Sequence, residues 1–158
     1  MVATTRIVYE KYPGYHAVFI GPCVVKKLEA TEDYPELNIL VINYKELNSL
    51  LKKFNQSELD STYFGDFDMA EKETRIYPFD GGLTISGGIK NILKDEEIRI
   101  VSGWKNCEAT LVEFQENPKI RFIDILFCEG GCINGPGVES KLTVPERKQK
   151  VLDYANSA

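Results

Sequence analysis

Cys128 and Cys132 stand four positions apart, inside a segment that also holds Gly130, Gly131, Gly135 and Gly137. Thiolates bind iron and zinc well because sulfur is soft and polarisable. Glycines would let the backbone wrap a bulky group and aim its amides at the sulfurs. The same residues also read as two unligated thiols at a glycine-rich turn. Cys23 lies in Gly21-Pro22-Cys23-Val24-Val25-Lys26-Lys27-Leu28-Glu29. Lysines one turn after a thiol make an electropositive place that favours thiolate, although a cysteine near a lysine is also ordinary packing. Cys107 shares a helical face with Trp104 and Leu111, which marks a small buried hydrophobe. His16 is the only histidine and falls in a strand pattern. No cysteine–histidine nucleophile, paired carboxylates, P-loop, dinucleotide fingerprint or second Cys-x-x-Cys pair can be assembled, so no catalytic residue is assigned.

The elements around these residues alternate. Residues 16–20 read as a strand stopped by Gly21-Pro22, after a short helix over 3–11 that ends at Pro13-Gly14. Residues 38–42 form a nearly continuous apolar run, the pattern of a strand buried on both faces. Asn43 with Glu46 three residues later is a capping box, and Tyr44, Leu47, Leu50, Leu51 and Phe54 then recur at helical spacing. Residues 55–82 are irregular but rich in aromatics (Phe64, Phe67, Tyr77, Phe79), and Ile85 to Leu93 suggests a short helix entered through Gly87-Gly88. A third strand over 98–101 leads to Ser102, a candidate cap for a helix carrying Trp104, Cys107, Leu111 and Phe114. A fourth strand over 120–126 runs into Cys128, and a last helix starts at Val144 with Pro145 in its first turn. The alternation predicts one mainly parallel four-stranded α/β sheet with helices on both faces. Ligands of such sheets sit beyond the carboxyl ends of the strands, where Cys23, Cys128 and Cys132 are expected to converge.

The chain has 158 residues, 43% hydrophobic and 27% charged, with a net charge of −5. That suits one α/β domain over residues 1–158, or at most two small lobes. An acidic chain offers no electrostatic footprint for nucleic acid or anionic lipid. No apolar run nears the roughly 20 residues of a membrane helix, and the N-terminus lacks a signal core. A cytoplasmic setting is expected, where clustered cysteines more often serve metal or redox chemistry than disulfides.

Two motifs together resemble the active-site domain of iron-only ([FeFe]) hydrogenases. That family's second cysteine motif has the form Met-Pro-Cys-x-x-Lys-x-x-Glu, which Gly21 to Glu29 resembles. Its third has the form Glu-x-Met-Ala-Cys-x-x-Gly-Cys-x-x-Gly-Gly-Gly-Gln-Pro. Asp124-Ile125-Leu126-Phe127-Cys128-Glu129-Gly130-Gly131-Cys132-Ile133-Asn134-Gly135-Pro136-Gly137 is similar to it in the cysteine and first glycine positions. Val101 to Asn106 also resembles the family's strand-to-helix step. The resemblance implies that Cys23, Cys128 and Cys132 ligate a cubane [4Fe-4S] cluster, with Cys132 at the place that bridges to a two-iron site. It implies that Lys26 contacts a cyanide of that site.

The departures also carry information. The family's Thr-Ser-Cys-Cys-Pro motif, which supplies the fourth cubane ligand and a proton-relaying cysteine, is absent. The chain is therefore expected to be a fragment, whose partner is the remainder of a parent carrying that motif, with a ferredoxin-type domain or other electron donor. Gly21 and Leu126 replace the methionines that line the two-iron site. Pro136 interrupts the glycine triplet, and Val138-Glu139 replace Gln-Pro. What the resemblance then implies is a cluster-binding redox or sensory module without hydrogenase activity as this chain stands. The alternative is the C-terminal half of a catalytic hydrogenase domain, which reversibly reduces protons.

Overall fold

The computed structural model describes residues 1–55, 67–69 and 72–157; Phe64, part of the expected aromatic excursion, lies outside them. The chain divides into two compact units, Met1–Tyr63 with Gly135–Ser140, and Phe64–Asn134 with Lys141–Ala158.

In the first unit, α1 (Val2–Lys11) precedes β1 (Val18–Gly21), a short α2 (Val25–Leu28), β2 (Leu40–Asn43) and α3 (Tyr44–Lys53). β1 and β2 pair in parallel, with Val18 opposite Leu40 and Gly21 opposite Asn43. Ala17, Ala30, Ile39 and Val41 form the core, against which Met1, Tyr9, Phe19 and Leu37 pack. The Tyr9 hydroxyl fixes α1 here: it donates to the Leu37 carbonyl at 2.7 Å and accepts from the Ala17 amide at 3.3 Å. The capping box of α3 forms as the sequence predicts. The Asn43 side chain accepts from the Glu46 amide at 2.9 Å, and the Asn43 amide donates to Glu46 at 2.8 Å. A helix start leaves its first amides without intrahelical partners, and this device satisfies two donors reciprocally while fixing the entry of the chain. The Lys27 ammonium and the Asn43 amide hold the Glu46 carboxyl below the usual glutamate range.

The second unit contains α4 (Gly82–Ser86), β3 (Ile98–Ser102), α5 (Trp104–Glu116), β4 (Phe122–Leu126) and α6 (Val144–Asn156). β3 and β4 pair in parallel, with Ile98 opposite Phe122 and Ser102 opposite Leu126. Phe79, Ile98, Cys107, Ile120, Ile133 and Ala155 are buried. α6 begins at Val144 with a proline in its first turn, as its sequence predicts, and the Glu146 carboxylate accepts from the Thr143 amide and hydroxyl, each at 2.7 Å. Gly87 caps the end of α4. Gly88 takes a positive φ of 61° and leads into a separate helical turn, Ile89–Asn91.

The parallel pairing agrees with the sequence, but among the described residues one four-stranded sheet does not form. The four strands make two separate two-stranded sheets, one in each unit. Alternation of strand and helix fixes the sense of each crossover, but it does not say which strand edges meet. The face of α5 also differs from expectation. Cys107 and Thr110 are buried on it, while Trp104, Leu111 and Phe114 are exposed.

Candidate functional site

Cys23 occupies the turn between the end of β1 and the start of α2, and is half-buried. Lys26 and Lys27 follow on α2. Lys26 is paired with Glu29, its neighbour one turn on, and Lys27 reaches across to Glu46 at the start of α3. The positive charge that the sequence places beside Cys23 is therefore matched by two carboxylates. Residues Gly135–Ser140 belong to this unit and supply a clamp on the same turn. The Gly137 amide donates to the Pro22 carbonyl at 2.9 Å, and the Gly137 carbonyl accepts from the Lys45 amide at 3.3 Å.

Cys128 and Cys132 lie in the second unit, in the turn that follows β4, and both are half-buried. The Gly131 amide donates to the Cys128 carbonyl at 2.9 Å, and the Asn134 amide to the Gly131 carbonyl at 3.0 Å. The Gly130 amide donates to the Ser102 hydroxyl at 3.0 Å. Ser102 is thus not the cap of α5, whose N-cap is Gly103; its hydroxyl is spent on the cysteine turn instead. The glycine amides expected to aim at cluster sulfurs are engaged by the chain itself at Gly130 and Gly131. The two glycines serve close packing. At Gly131, with φ of 93°, a Cβ would meet the Phe79 Cα and the Pro78 carbonyl oxygen, each at 2.7 Å. The Ile133 amide donates to that same Pro78 carbonyl at 3.1 Å, and Phe79 forms an antiparallel bridge with Gly131. Phe127, next to Cys128, is 75% exposed.

Cys107 is 7% exposed, and its thiol donates to the Leu126 carbonyl at 3.4 Å. Burial pushes this thiol up from its ordinary value. The thiolate is the nucleophile, so a raised pKa means less of it at pH 7. Under iodoacetamide at pH 7, Cys107 should alkylate at least about tenfold more slowly than the half-buried Cys23. Mass spectrometry of the alkylated peptides reads this directly, and equal rates would contradict the burial.

No disulfide joins any of the four cysteines. Among the described residues, no three His, Cys, Asp or Glu side chains gather as a metal site. His16 is exposed just before β1. Sequence reasoning missed two residues that shape the second turn, Thr84 and Asp124. The signal was present: Asp124 interrupts the apolar run Phe122-Ile123-Asp124-Ile125-Leu126, where a carboxylate must find donors.

Both cysteine turns sit at strand carboxyl ends, in the order and with the motif residues set out above. Residues 1–136 match the family model for the iron-only hydrogenase large subunit, C-terminal domain. The chain belongs to that family. Residues 137–158, with Gly137 and α6, lie beyond the matched stretch. A search of curated proteins returned no match. Among the described residues, no helix is long and apolar enough to cross a membrane. Iron-only hydrogenases work with iron–sulfur cofactors, so the family directs attention to the thiols of Cys23, Cys128 and Cys132 rather than to His16 or Cys107.

Proposed function

We propose that this chain is a cluster-binding redox or sensory module of an iron-only hydrogenase-like protein, in which Cys23, Cys128 and Cys132 supply three ligands of a [4Fe-4S] cluster. The observation that carries this reading is the family match over residues 1–136, a stretch that holds Cys23, Cys128 and Cys132 in the order of the family's motifs. The donor chemistry fits, because three half-buried thiols at turns suit iron, which thiolates hold strongly. A bound cluster would supply one-electron transfer. This chain's residues would hold it, and the exposed Phe127 would stand beside one ligand.

A cubane takes four ligands, and Cys107 is committed to the core. The fourth thiolate therefore comes from a partner segment carrying the family's first motif, in the same cytoplasmic setting, and an electron donor of ferredoxin type would serve the assembled site. The replacement of the methionines of the two-iron site by Gly21 and Leu126 favours the redox or sensory reading over hydrogen chemistry. The chain alone is then without hydrogenase activity.

Anaerobic reconstitution with ferrous iron and sulfide tests the ligand set. Wild type and Cys107→Ser should retain iron, whereas Cys23→Ser, Cys128→Ser and Cys132→Ser should each lose most of it, a drop of roughly tenfold or more in iron retained per chain. Equal retention by all five proteins would remove the assignment. Infrared bands of carbon monoxide and cyanide, in the chain assembled with its first-motif partner, would instead favour the catalytic alternative.

A further inference from the structure

The buried carboxylate of Asp124 is unused by the ligation proposed above. It lies in the middle of β4 and is 2% exposed, four residues before Cys128. A buried carboxylate is costly unless donors meet it. Here its Oδ2 accepts two hydrogen bonds of 2.8 Å, from the amide and the hydroxyl of Thr84, which is 0% exposed. Hydrogen bonds to a charged acceptor are about twice as strong as neutral ones.

Thr84 does not stand alone. It sits in the first turn of α4, entered through Gly81 and Gly82. The Gly82 amide donates to the Phe79 carbonyl at 2.9 Å, and the Ile85 amide to the Gly81 carbonyl at 3.1 Å. A Cβ on Gly82 would lie 2.1 Å from the Ile76 carbonyl oxygen, so the segment is wound without slack. Its far end is Pro78 and Phe79, the latter 2% exposed, which hold Ile133 and Gly131 of the cysteine turn. The path from Asp124 through Thr84 and Phe79 to Gly131 thus closes a ring on the strand that leads into Cys128.

We propose that Asp124 and Thr84 are positioning residues for the Cys128–Cys132 turn, acting through the segment Pro78–Thr84 as a brace between β4 and the turn. The purpose of the brace, holding two thiols at a set separation for iron, rests on the ligation reading above. The brace itself does not.

Amide hydrogen exchange on the iron-free full chain tests it. In Thr84→Val, which keeps shape and drops the hydroxyl, the Ile133 amide should exchange about tenfold faster or more. The Arg121 amide, bonded to the Glu97 carbonyl at 2.8 Å at the far end of the sheet, should keep its rate. Thr84→Ser should restore the wild-type rate at Ile133. An unchanged Ile133 rate in Thr84→Val overturns the proposal, and so does an equal rise at Ile133 and Arg121, which would mark general stability only. If Thr84→Val does not fold, Asp124→Asn keeps an acceptor and loses the charge; a several-fold rise at Ile133 is then expected, and no rise overturns the proposal. After loading with ferrous iron and sulfide, Thr84→Val should release iron to a chelator several-fold faster than wild type. Equal release alongside faster exchange would overturn the purpose given to the brace. If wild type holds no iron at all, the ligation reading fails, while the exchange rates still decide the brace.

Discussion

Gly131→Ala is expected to cost about 3 kcal/mol or more and to detach the cysteine turn from Phe79. Two penalties coincide at this position. A φ of 93° is a conformation that side chains with a Cβ rarely adopt, and the new Cβ would sit 2.7 Å from both the Phe79 Cα and the Pro78 carbonyl oxygen. Neither neighbour is the far end of a flexible side chain, so the turn must move. The Ile133 bond to Pro78 and the bridge to Phe79 go with it. Urea denaturation should show a lowered midpoint, and iron retention after anaerobic reconstitution should fall several-fold even though every cysteine is present. A Gly131→Ala protein with wild-type stability and iron retention would show that the close approach at Phe79 is unimportant.

Gly137→Ala is the second large effect, expected at about 2–3 kcal/mol. Here the backbone is not in the left-handed region; the obstacle is space. A Cβ would lie 2.6 Å from the Asn43 Cβ and 2.8 Å from the Pro22 carbonyl oxygen. Asn43 is pinned by its capping box with Glu46, and Pro22 by its ring, so neither yields easily. The segment should lift away, releasing the Pro22 carbonyl and the Lys45 amide together. Faster exchange of the Gly137 and Lys45 amides, with a lowered urea midpoint, is the expected result. Protection at both amides equal to wild type would refute it. Because no cysteine of the second unit takes part, this substitution should leave the Ile133 amide at its native rate.

How much of this was legible in the residues depends on the range of the forces involved. The Asn43–Glu46 box and the start of α6 are local, set by three or four consecutive side chains, and both appear where their sequence places them. Cys107 is also read correctly, because helical spacing reports one face of α5. That spacing says nothing of how wide a strip the fold covers, and Trp104, Leu111 and Phe114 on the same side are exposed. Strand pairing is less legible still, since short apolar runs carry no address for a partner edge. Ser102 shows the same limit from the other direction. It is well suited to cap α5, but Gly130, 28 residues away, offers an amide that takes its hydroxyl. The motif glycines were read as making room for a ligand. At Gly130 and Gly131 they make room for Val144, Pro78 and Phe79, none of which lies near them in sequence.

The last helix has a practical bearing on where this protein can be cut. Residues 137–158 fall outside the family match, which invites trimming them away. Yet Arg147 on α6 donates to the Ile133 carbonyl at 3.1 Å, Lys148 pairs with Asp80 at 3.4 Å, and the Lys148 ammonium lies 4.7 Å from the centre of the Phe79 ring. Val144 fills the space beside Gly130. A version shortened at residue 136 would keep every cysteine and lose the wall behind two of them, so a failure of that version to take up iron would report on the missing wall rather than on the thiols.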